Sequence, residues 1–407
     1  MNYNEAYAKL EQCGQLHILK YYHELTQEQQ NALLTEIEET DFSVLKLAEK
    51  QSIPKRGMIS PIPAMPLSEI EKQRQRFEAA GIKALQEGKA AAVLLAGGMG
   101  TRLGSDKPKG MYNIGITKEL YIFERMIANL METVRTAGTK LHLFIMTSDK
   151  NHTQTTEFFA EKQYFGYDRN YIHFFKQEMA PASDYNGLAL MEEKWKIATS
   201  PNGNGGWFKS MAGSGMLDII KMHGIEYLNV FAVDNVLQRI ADPVFLGAVI
   251  EQNYACGSKV IRKVSPEEKV GVMCLENNHP SIVEYYELTE EMRYEKTTDG
   301  DLAYNFGVIL NYLFRVDQLE SLLRNTLPYH VAEKKIPYID QNGNSVVPKE
   351  TNGYKYELFI LDMISMLDTC LPFEVVREKE FAPIKNKTGV DSVESAQKLL
   401  QQNGIEL

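Results

Sequence analysis

The chain has 407 residues, of which 44% are hydrophobic and 24% charged, an ordinary balance for globular domains in a chain too long for one ordinary core. Its 54 acidic residues exceed its 44 basic ones, giving a formal net charge of −10. A nucleic-acid-binding protein would normally carry a basic field that displaces counterions, so this composition argues against that class. Any anionic ligand must therefore be held by a local cluster of donors.

The four cysteines are far apart and form no CxxC pair, which argues against disulfides and structural zinc. The first residues, MNYNEAYAKLEQCGQ, lack the basic and apolar regions of a signal peptide. No apolar run approaches the roughly 20 residues that span a bilayer. We therefore expect a cytoplasmic protein with no membrane partner.

Apolar residues recur at helical spacing over residues 1 to about 50 and predict a helical N-terminal region, which we extend to residues 1–88. A further helix is predicted from Ser68 to Glu87, because Ser68 and Glu71 have the spacing of a capping box. Between them lies a proline cluster that predicts an extended connector: Pro54, Pro61, Pro63 and Pro66.

Three short, continuously apolar runs follow, and each predicts a strand buried on both faces: Ala90–Ala96, Leu141–Thr147 and Tyr227–Val233. Helical patterns at Leu120–Ala137 and Ser210–His223 separate them. This alternation predicts an α/β fold with a doubly wound, largely parallel, Rossmann-like mixed sheet. Ligands of such sheets bind beyond the carboxyl ends of the strands. We assign the catalytic domain to residues 89–318.

The second half of the chain has shorter, alternating patterns. Strands are predicted at Lys259–Val264, Val270–Leu275 and Ser281–Leu288 around a turn at Asn277–Asn278, followed by a strand-to-helix pattern over Leu302–Phe314. Residues 319–407 form a predicted small α+β region, with helices at Leu319–Asn325 and Lys355–Leu367 and a strand at Phe373–Phe381.

The segment Leu95–Gly110 reads LAGGMGTRLGSDKPKG and differs from three known phosphate-binding motifs. It lacks the Gly-Lys-Ser/Thr ending of a Walker loop. The third glycine of a dinucleotide fingerprint is displaced by one position, to Gly104. The lysine-bearing strand that follows a kinase loop is also missing. The segment therefore predicts a phosphate-binding loop of another kind.

The residue types in this loop suit a phosphate ligand. Gly97, Gly98 and Gly100 allow positive φ and a close approach of the backbone, so that their N–H groups can form an anion nest. Arg102 offers a bidentate fork, and Lys109 adds a point charge after a proline. An ordinary turn rarely combines so many glycines and cations.

The motif LAGGxGTRLG followed by PKG resembles the signature of the UDP-N-acetylhexosamine and UDP-sugar pyrophosphorylases. Further segments are similar to that family along nearly the whole chain: Ile145–Ser148, Phe158–Gly166, Phe174–Pro181, Pro201–Gly206, Val233–Asn235, Val283–Tyr285, Tyr329–Tyr338 and Phe381–Asn386. The resemblance implies a uridylyltransferase that joins UTP to a sugar 1-phosphate, most simply N-acetylglucosamine 1-phosphate, and releases pyrophosphate. The oligomeric state is left open.

The resemblance also implies roles for individual residues. Arg102, Lys109 and Lys385 would be the catalytic cations. Asp234 follows an apolar strand, where a carboxylate suits Mg²⁺ bound to phosphates, and it is implied as the metal ligand. Substrate-binding positions are implied as follows: Leu95, Ala96, Gly97, Gly98, Gln177, Gly203, Asn204, Asp234, Glu284, Tyr285, Asn305 and Lys355.

Several of these implied roles have a physical reason. The amide of Gln177 can donate to and accept from a uracil edge. Glu284 and Tyr285 are implied sugar contacts, and strand alternation lets only one face the pocket unless a bulge intervenes. Lys355 is implied to meet UTP phosphates and Lys385 the sugar phosphate.

One segment departs from the family pattern. The usual Phe-Asn-Ala-Gly-Asn is Tyr304-Asn305-Phe306-Gly307-Val308 here, which places a bulky and an apolar residue beside the expected sugar pocket. A UDP-glucose or broad-specificity pyrophosphorylase is therefore a second hypothesis. A glycosyltransferase would normally show an Asp-x-Asp pair where this chain has Val233-Asp234-Asn235, and a nucleotide-sugar sensor need not retain the loop cations.

Overall fold

The computed structural model describes residues 1–49, 56–325 and 327–407, so Pro54 of the predicted connector lies outside the described residues. The helices are α1 (Tyr3–Gln12), α2 (Gln27–Glu39), α3 (Leu67–Gln86), α4 (Ile122–Ala137), α5 (His152–Glu161), α6 (Trp207–Gly213), α7 (Met216–Met222), α8 (Pro243–Glu251), α9 (Glu290–Tyr294), α10 (Val316–Leu322), α11 (Ile360–Ser365), α12 (Arg377–Glu380) and α13 (Val393–Gln402). Short 3₁₀ turns connect several of them.

The strands are mostly short. They are β1 (Ile59–Pro61), β2 (Ala90–Leu95), β3 (Leu143–Thr147), β4 (Ile172–Lys176), β5 (Met179–Pro181), β6 (Met191–Glu193), β7 (Lys196–Ile197), β8 (Thr199–Pro201), β9 (Tyr227–Ala232), β10 (Cys256–Arg262), β11 (Val272–Glu276), β12 (His279–Val283), β13 (Phe306–Arg315), β14 (His330–Lys334), β15 (Tyr338–Ile339), β16 (Ser345–Val346), β17 (Gly353–Glu357) and β18 (Cys370–Glu374).

The chain forms two compact units, each built from three separate segments. The first contains Met1–Lys55, Glu178–Gly206 and Leu327–Ile360, and the second contains Arg56–Gln177, Trp207–Thr326 and Leu361–Leu407. The predicted division at residues 88 and 318 stays a prediction.

The second unit contains a mixed sheet in the order β1-β11-β13-β9-β2-β3-β4, so the predicted α/β fold with a central mixed sheet is confirmed. Strands β9, β2, β3 and β4 are parallel, whereas β13 pairs antiparallel with β9. All side chains of β2 are buried, as its continuous apolar sequence requires. Because the parallel strands run together, their carboxyl ends lie at one edge of the sheet.

Glycines allow two helices of this unit to approach at backbone distance. A Cβ on Gly81 of α3 would lie 1.9 Å from Pro243 O, and one on Gly247 of α8 would lie 1.8 Å from Phe77 O. Neither position can carry a side chain without moving a helix backbone. This close contact fixes α8 against α3.

The first unit has its own core. Helices α1 and α2 supply Leu10, Leu33 and Ile37, which pack in one cluster with Ile197 and Tyr356. The strand pairs β5–β8, β6–β7, β14–β17 and β15–β16 also belong to this unit. Helices α1 and α2 thus lie where the apolar spacing predicts helices, and their apolar faces are buried by later segments of the chain.

Glu36 of α2 gives a testable stability prediction, because its Oε2 accepts a 2.9 Å hydrogen bond from Ile197 N while burial raises its pKa to about 7. The folded carboxyl titrates above its ordinary value of 4.5, so it costs stability increasingly from about pH 4.5 to 7. We expect Glu36→Gln to raise the free energy of unfolding at pH 8 by about 1–2 kcal/mol, with little effect near pH 5.

Denaturant unfolding at the two pH values measures this difference. The exposed change Glu11→Gln on α1, a residue that does not contribute to the pKa shift of Glu36, serves as the control and is expected to follow wild type at both pH values. Equal stabilisation by Glu36→Gln at pH 5 and pH 8 would show that burial of the charge is not the cause.

Several local predictions are wrong in detail, including the strand predicted at Ser281–Leu288, which ends at Val283, and the helix predicted within Leu302–Phe314, where the structure has β13. The helix predicted at Lys355–Leu367 is β17 followed by α11, because buried Tyr354 and Tyr356 alternate with Lys355 at strand spacing. The predicted strand Phe373–Phe381 ends at Glu374 and is followed by α12. The predicted helix Ser210–His223 is divided into α6 and α7 at Gly215, where φ is +78°.

The predicted capping box of α3 is also wrong. The helix begins after Pro66, one residue earlier than predicted, so Ser68 lies inside the first turn. The backbone N–H of Leu67 donates instead to Glu374 Oε2 at 3.1 Å. A carboxylate from β18 therefore caps this helix, which sequence spacing cannot reveal.

Candidate active site

The predicted phosphate loop follows β2 and folds back on itself. Gly100 N donates to Lys107 O at 2.8 Å, and Lys109 N donates to Gly98 O at 3.1 Å. Gly104 has φ of +76°, which a glycine adopts without strain. These bonds hold Lys109 beside the start of the loop, although the two positions are separated along the chain.

Two buried polar residues after β3 hold the loop through its backbone carbonyl groups. Asn151 Nδ2 donates to Ala96 O at 2.9 Å and to Gly98 O at 3.3 Å, while Ser148 Oγ donates to Gly97 O at 2.9 Å. Three consecutive carbonyl oxygens at the start of the loop therefore accept hydrogen bonds from the protein itself. Asn151 was not among the predicted site residues.

Gln177 directly follows β4 and contacts the loop. Its backbone N–H donates to Thr147 O at 2.8 Å, and its side chain is buried. A Cβ on Gly97 would lie 2.7 Å from Gln177 Nε2. The absence of a side chain at Gly97 therefore lets the amide of Gln177 lie against the loop, next to the predicted phosphate nest.

The predicted cation Lys109 forms a long ion pair with the predicted metal ligand Asp234. Asp234 comes after β9, and its Oδ2 lies 4.0 Å from Lys109 Nζ. Burial lowers the pKa of Lys109, Asp234 opposes that effect, and the positive charges of Arg102 and Lys385 lower the pKa further. The structure therefore brings Arg102, Lys109, Asp234 and Lys385 into one electrostatic field.

The backbone beside Lys385 is hydrogen-bonded to the backbone of Asp234. Ile384 N donates to Asp234 O at 2.8 Å, so the segment 382–386 runs alongside the end of β9. Lys385 Nζ lies 3.0 Å from Asp391 Oδ2, and Lys385 N donates to Asp391 O at 2.7 Å. Asp391, which sequence reasoning missed, thus orients the Lys385 ammonium group.

Glu284 and Tyr285 lie just beyond the end of β12. Burial raises the pKa of Glu284, as does the Glu287 carboxylate, and Lys385 opposes the shift. Tyr285 is partly exposed and packs edge-on against Tyr286, with ring centroids 5.3 Å apart. Glu284 is therefore the member of the predicted pair that shares the electrostatic field of the cations.

The two residues that depart from the family pattern have different neighbours. A Cβ on Gly271 would lie 3.5 Å from Val308 Cγ2 and 3.6 Å from Glu284 Cδ, which places Val308 beside Glu284. The Arg262 guanidinium lies over the Phe306 ring, 5.5 Å from its centroid. Val308 is therefore the departure that adjoins a predicted sugar contact, while Phe306 is covered by Arg262.

Asn305 has a defined orientation. Its Oδ1 accepts a 3.0 Å hydrogen bond from Lys263 N, and its backbone carbonyl accepts from the same N–H at 3.0 Å. The acceptor end of the amide is therefore engaged with the protein, which leaves Nδ2 as the end suited to donate to a sugar hydroxyl.

Gly203, Asn204 and Lys355 belong to the first unit. Gly203 has φ of +87°, and a Cβ there would lie 2.3 Å from Leu358 O. Asn204 Oδ1 accepts a 3.0 Å hydrogen bond from Ile360 N. The glycine-rich segment around Gly203 is thus packed against residues 358–360, and Lys355 lies on β17 in register with Ala332 of β14.

The donor set at Asp234 fits a metal bound mainly by phosphates. Within the described residues, no group of three or more His, Cys, Asp or Glu side chains has an arrangement that holds a metal ion. Asp234 supplies one hard carboxylate, and its side chain is 27% exposed. Mg²⁺ commonly takes one or two protein carboxylates and completes its shell with phosphate oxygens and water.

The residues that follow β2, β3, β4 and β9 thus lie at one edge of the sheet, and this edge carries the cations and the carboxylate predicted for a nucleotidyltransferase. The family model described as UTP–glucose-1-phosphate uridylyltransferase matches residues 40–406, and the chain belongs to this family. The expectation that it is a uridylyltransferase is confirmed. The enzyme class generally uses a divalent metal ion.

Known relatives are similar over most of their length. The UDP-N-acetylhexosamine pyrophosphorylase-like protein 1 of Mus musculus is 36% identical over 409 residues, covering 94% of this chain and 80% of the relative. The UDP-N-acetylglucosamine pyrophosphorylase of Saccharomyces cerevisiae is 33% identical, covering 93% and 85%. A crystal structure of the Trypanosoma brucei uridine diphosphate N-acetylglucosamine pyrophosphorylase with an inhibitor has a TM-score of 0.84 at 28% identity, covering 98% of this chain and 84% of that one.

Among the helices that the structure describes, none combines the length and the apolar character needed to cross a membrane.

Proposed function

We propose that this protein transfers the uridylyl group of UTP to N-acetylglucosamine 1-phosphate and releases pyrophosphate. The observation that carries the proposal is the pair formed by Lys109 and Asp234, whose Nζ and Oδ2 atoms lie 4.0 Å apart. The positive charges of Arg102 and Lys385 lower the pKa of the same lysine, so the three cations share one site. The relatives named as UDP-N-acetylglucosamine pyrophosphorylases support the choice of sugar.

The reaction needs no covalent enzyme intermediate. An oxygen of the sugar 1-phosphate attacks the α-phosphorus of UTP in line, and the bond from that phosphorus to the pyrophosphate oxygen breaks. Arg102 and Lys109 stabilise the charge that develops on the leaving pyrophosphate, and Lys385 holds the attacking phosphate. Catalysis then comes from positioning and charge stabilisation, as in other phosphoryl transfers.

Asp234 is the proposed ligand of Mg²⁺. The ion, when bound, neutralises the negative charge that two phosphorylated substrates bring together. Asp234 also supplies a counter-charge to Lys109, which keeps this partly buried lysine compatible with its site.

Substrate recognition is assigned to the remaining predicted residues. Leu95, Ala96, Gly97 and Gly98 form the backbone cradle for UTP, and Gln177 reads the uracil edge from beside Gly97. Further contacts are assigned on the family resemblance alone: Gly203 near the base, Asn204, Glu284, Tyr285 and Asn305 at the sugar, and Lys355 at the UTP phosphates.

The finer architecture remains part of the proposal. We assign the sheet to the doubly wound, Rossmann-like class of nucleotide-diphospho-sugar transferases, with a helical region at 1–88, a catalytic domain at 89–318 and a small α+β region at 319–407. We also assign the protein to the cytoplasm.

A UDP-glucose or broad-specificity pyrophosphorylase is the second candidate. It is favoured by Val308, which replaces the family's asparagine beside Glu284 and removes a polar group from the neighbourhood of a proposed sugar contact. The loss of one hydrogen-bonding side chain there would weaken discrimination between sugars that differ in polar substituents.

A sugar 1-phosphate panel separates these candidates. Pyrophosphate release is measured with UTP, Mg²⁺ and the 1-phosphates of N-acetylglucosamine, N-acetylgalactosamine, glucose and galactose, with ATP, CTP and GTP as nucleotide controls. We expect N-acetylglucosamine 1-phosphate with UTP to give the highest kcat/KM. A preference for glucose 1-phosphate would establish the second candidate, and UDP-sugar binding without pyrophosphate release would indicate a sensor.

A further inference from the structure

Asn235 lies next to Asp234 and is almost completely buried, yet it has no role in the proposed chemistry. Its Nδ2 donates to Glu380 O at 2.7 Å, and its Oδ1 accepts from Ala382 N at 2.9 Å. One side chain therefore bridges two backbone groups of the segment that continues to Lys385. The bridge spans 145 residues of sequence.

Backbone hydrogen bonds continue the same connection. Val236 N donates to Ala382 O at 3.3 Å, and Ile384 N donates to Asp234 O at 2.8 Å. The segments around Asn235 and Pro383 thus form one isolated antiparallel bridge and are not strands of the sheet. Because so few bonds join the two segments, the amide of Asn235 makes a large contribution to their register.

Only a side chain that both donates and accepts can satisfy this position. The partners are a carbonyl oxygen and an N–H group, and asparagine offers an amide nitrogen and an oxygen at the required length. Alanine would leave both backbone groups unpaired in a buried environment, which is costly and favours movement of one segment away from the other.

The far end of the bridged segment is held by a buried ion cluster. Lys259, whose side chain is fully buried, lies 2.5 Å from Glu380 Oε2 and 2.9 Å from Asp242 Oδ2. Glu380 therefore contacts the ion cluster through its carboxylate, and its backbone carbonyl oxygen accepts the hydrogen bond from Asn235. The segment is fixed at Glu380, so a break at Asn235 would free the part that leads to Lys385.

We propose that Asn235 is a positioning residue that sets the distance between Lys385 and Asp234. It acts by holding the segment 380–385 in register with the end of β9, so that the cation for the attacking phosphate stays aligned with the metal-binding carboxylate. This inference rests on the roles assigned to these two residues under the proposed function.

The test compares Asn235→Ala with a matched variant, Asn229→Ala. Asn229 lies on β9, is equally buried, and makes three hydrogen bonds, with Asn311, Tyr312 O and Ala241 N, none of them to the Lys385 segment. Both variants remove a buried, hydrogen-bonded amide from the same part of the fold. A general loss of stability would therefore affect them alike.

The readouts are the Tm, kcat and the separate KM values for UTP and the sugar 1-phosphate. We expect both variants to lower the Tm similarly. Asn235→Ala is expected to lower kcat/KM for the sugar 1-phosphate about tenfold to a hundredfold, since misplacement of a positioned group by about 1 Å has effects of this size. Its KM for UTP and both KM values of Asn229→Ala should stay within about twofold of wild type.

Equal kinetic constants in the two variants would overturn the inference, as would an equal rise in both KM values of Asn235→Ala. If Asn235→Ala gives no folded protein, Asn235→Ser, which keeps one polar oxygen, is measured in its place with the same criteria. An inactive wild-type enzyme on every sugar 1-phosphate would instead contradict the proposed function, so the two failures are distinguishable.

Discussion

Replacement of Asp234 by asparagine is expected to lower kcat about a hundredfold to a thousandfold with little change in fold. Asparagine has the same shape but no charge, so it binds a divalent ion weakly and leaves Lys109 without its counter-charge at 4.0 Å. The measurement is the rate of pyrophosphate release at saturating UTP and sugar 1-phosphate over a titration of MgCl₂.

Asp168→Asn provides a matched control for this variant. Asp168 is also ion-paired, with Lys140, and its side chain is 28% exposed against 27% for Asp234. It precedes β4 and so lies at the amino end of a parallel strand, away from the edge that carries the site. We expect its kcat to match wild type. An unchanged kcat in Asp234→Asn would remove Asp234 from the metal site.

Replacement of Arg102 by alanine is expected to lower kcat at least about a hundredfold, which corresponds to about 2.7 kcal/mol for the loss of one electrostatic donor. Arg102 is exposed on the loop and contributes to the field that lowers the pKa of Lys109. The same pyrophosphate-release assay measures the effect, with the Tm recorded to show that the variant is folded.

Two further variants show whether the guanidinium fork matters. Arg102→Lys keeps the charge but loses bidentate geometry, and we expect it to recover only part of the lost activity. Arg74→Ala removes another arginine, one that pairs with Glu71 on the exposed face of α3, and should leave kcat unchanged. A folded Arg102→Ala enzyme with near wild-type turnover would contradict the assignment.

The centre of the sheet and its site edge could be predicted from the sequence because their signals are local. The apolar run at β2 has no polar interruption, and the same is true of the core of β3. Gly97 and Asp234 each come two positions after an apolar strand, β2 and β9, so the sequence predicts that they lie at a shared edge. Parallel strands with buried faces leave few alternatives.

The supporting residues of the site could not be predicted, because their function depends on contacts distant in sequence. Asn151 holds the carbonyl groups of a loop more than fifty positions earlier, and Asp391 orients Lys385 through a turn that has no periodic signal. Glu374 caps α3 from a strand near the other end of the chain. Sequence spacing carries no information on such pairings.

The different neighbours of Val308 and Phe306 could also be seen only in the structure. Both departures from the family pattern lie two positions apart on β13, and alternation alone places them on one face. Their neighbours differ, because Arg262 of β10 covers Phe306 whereas Val308 adjoins Glu284. Val308 is therefore the residue to vary in a test of sugar selectivity.

The segmented first unit also has a consequence for biosynthesis. Leu33 and Ile37, near the beginning of the chain, share their core with Tyr356, which the ribosome adds more than three hundred residues later. At about 5–20 residues per second, that interval lasts roughly 15–60 s. During this time the apolar faces of α1 and α2 lack this late partner, so this part of the nascent chain exposes apolar surface that chaperones and proteases recognise.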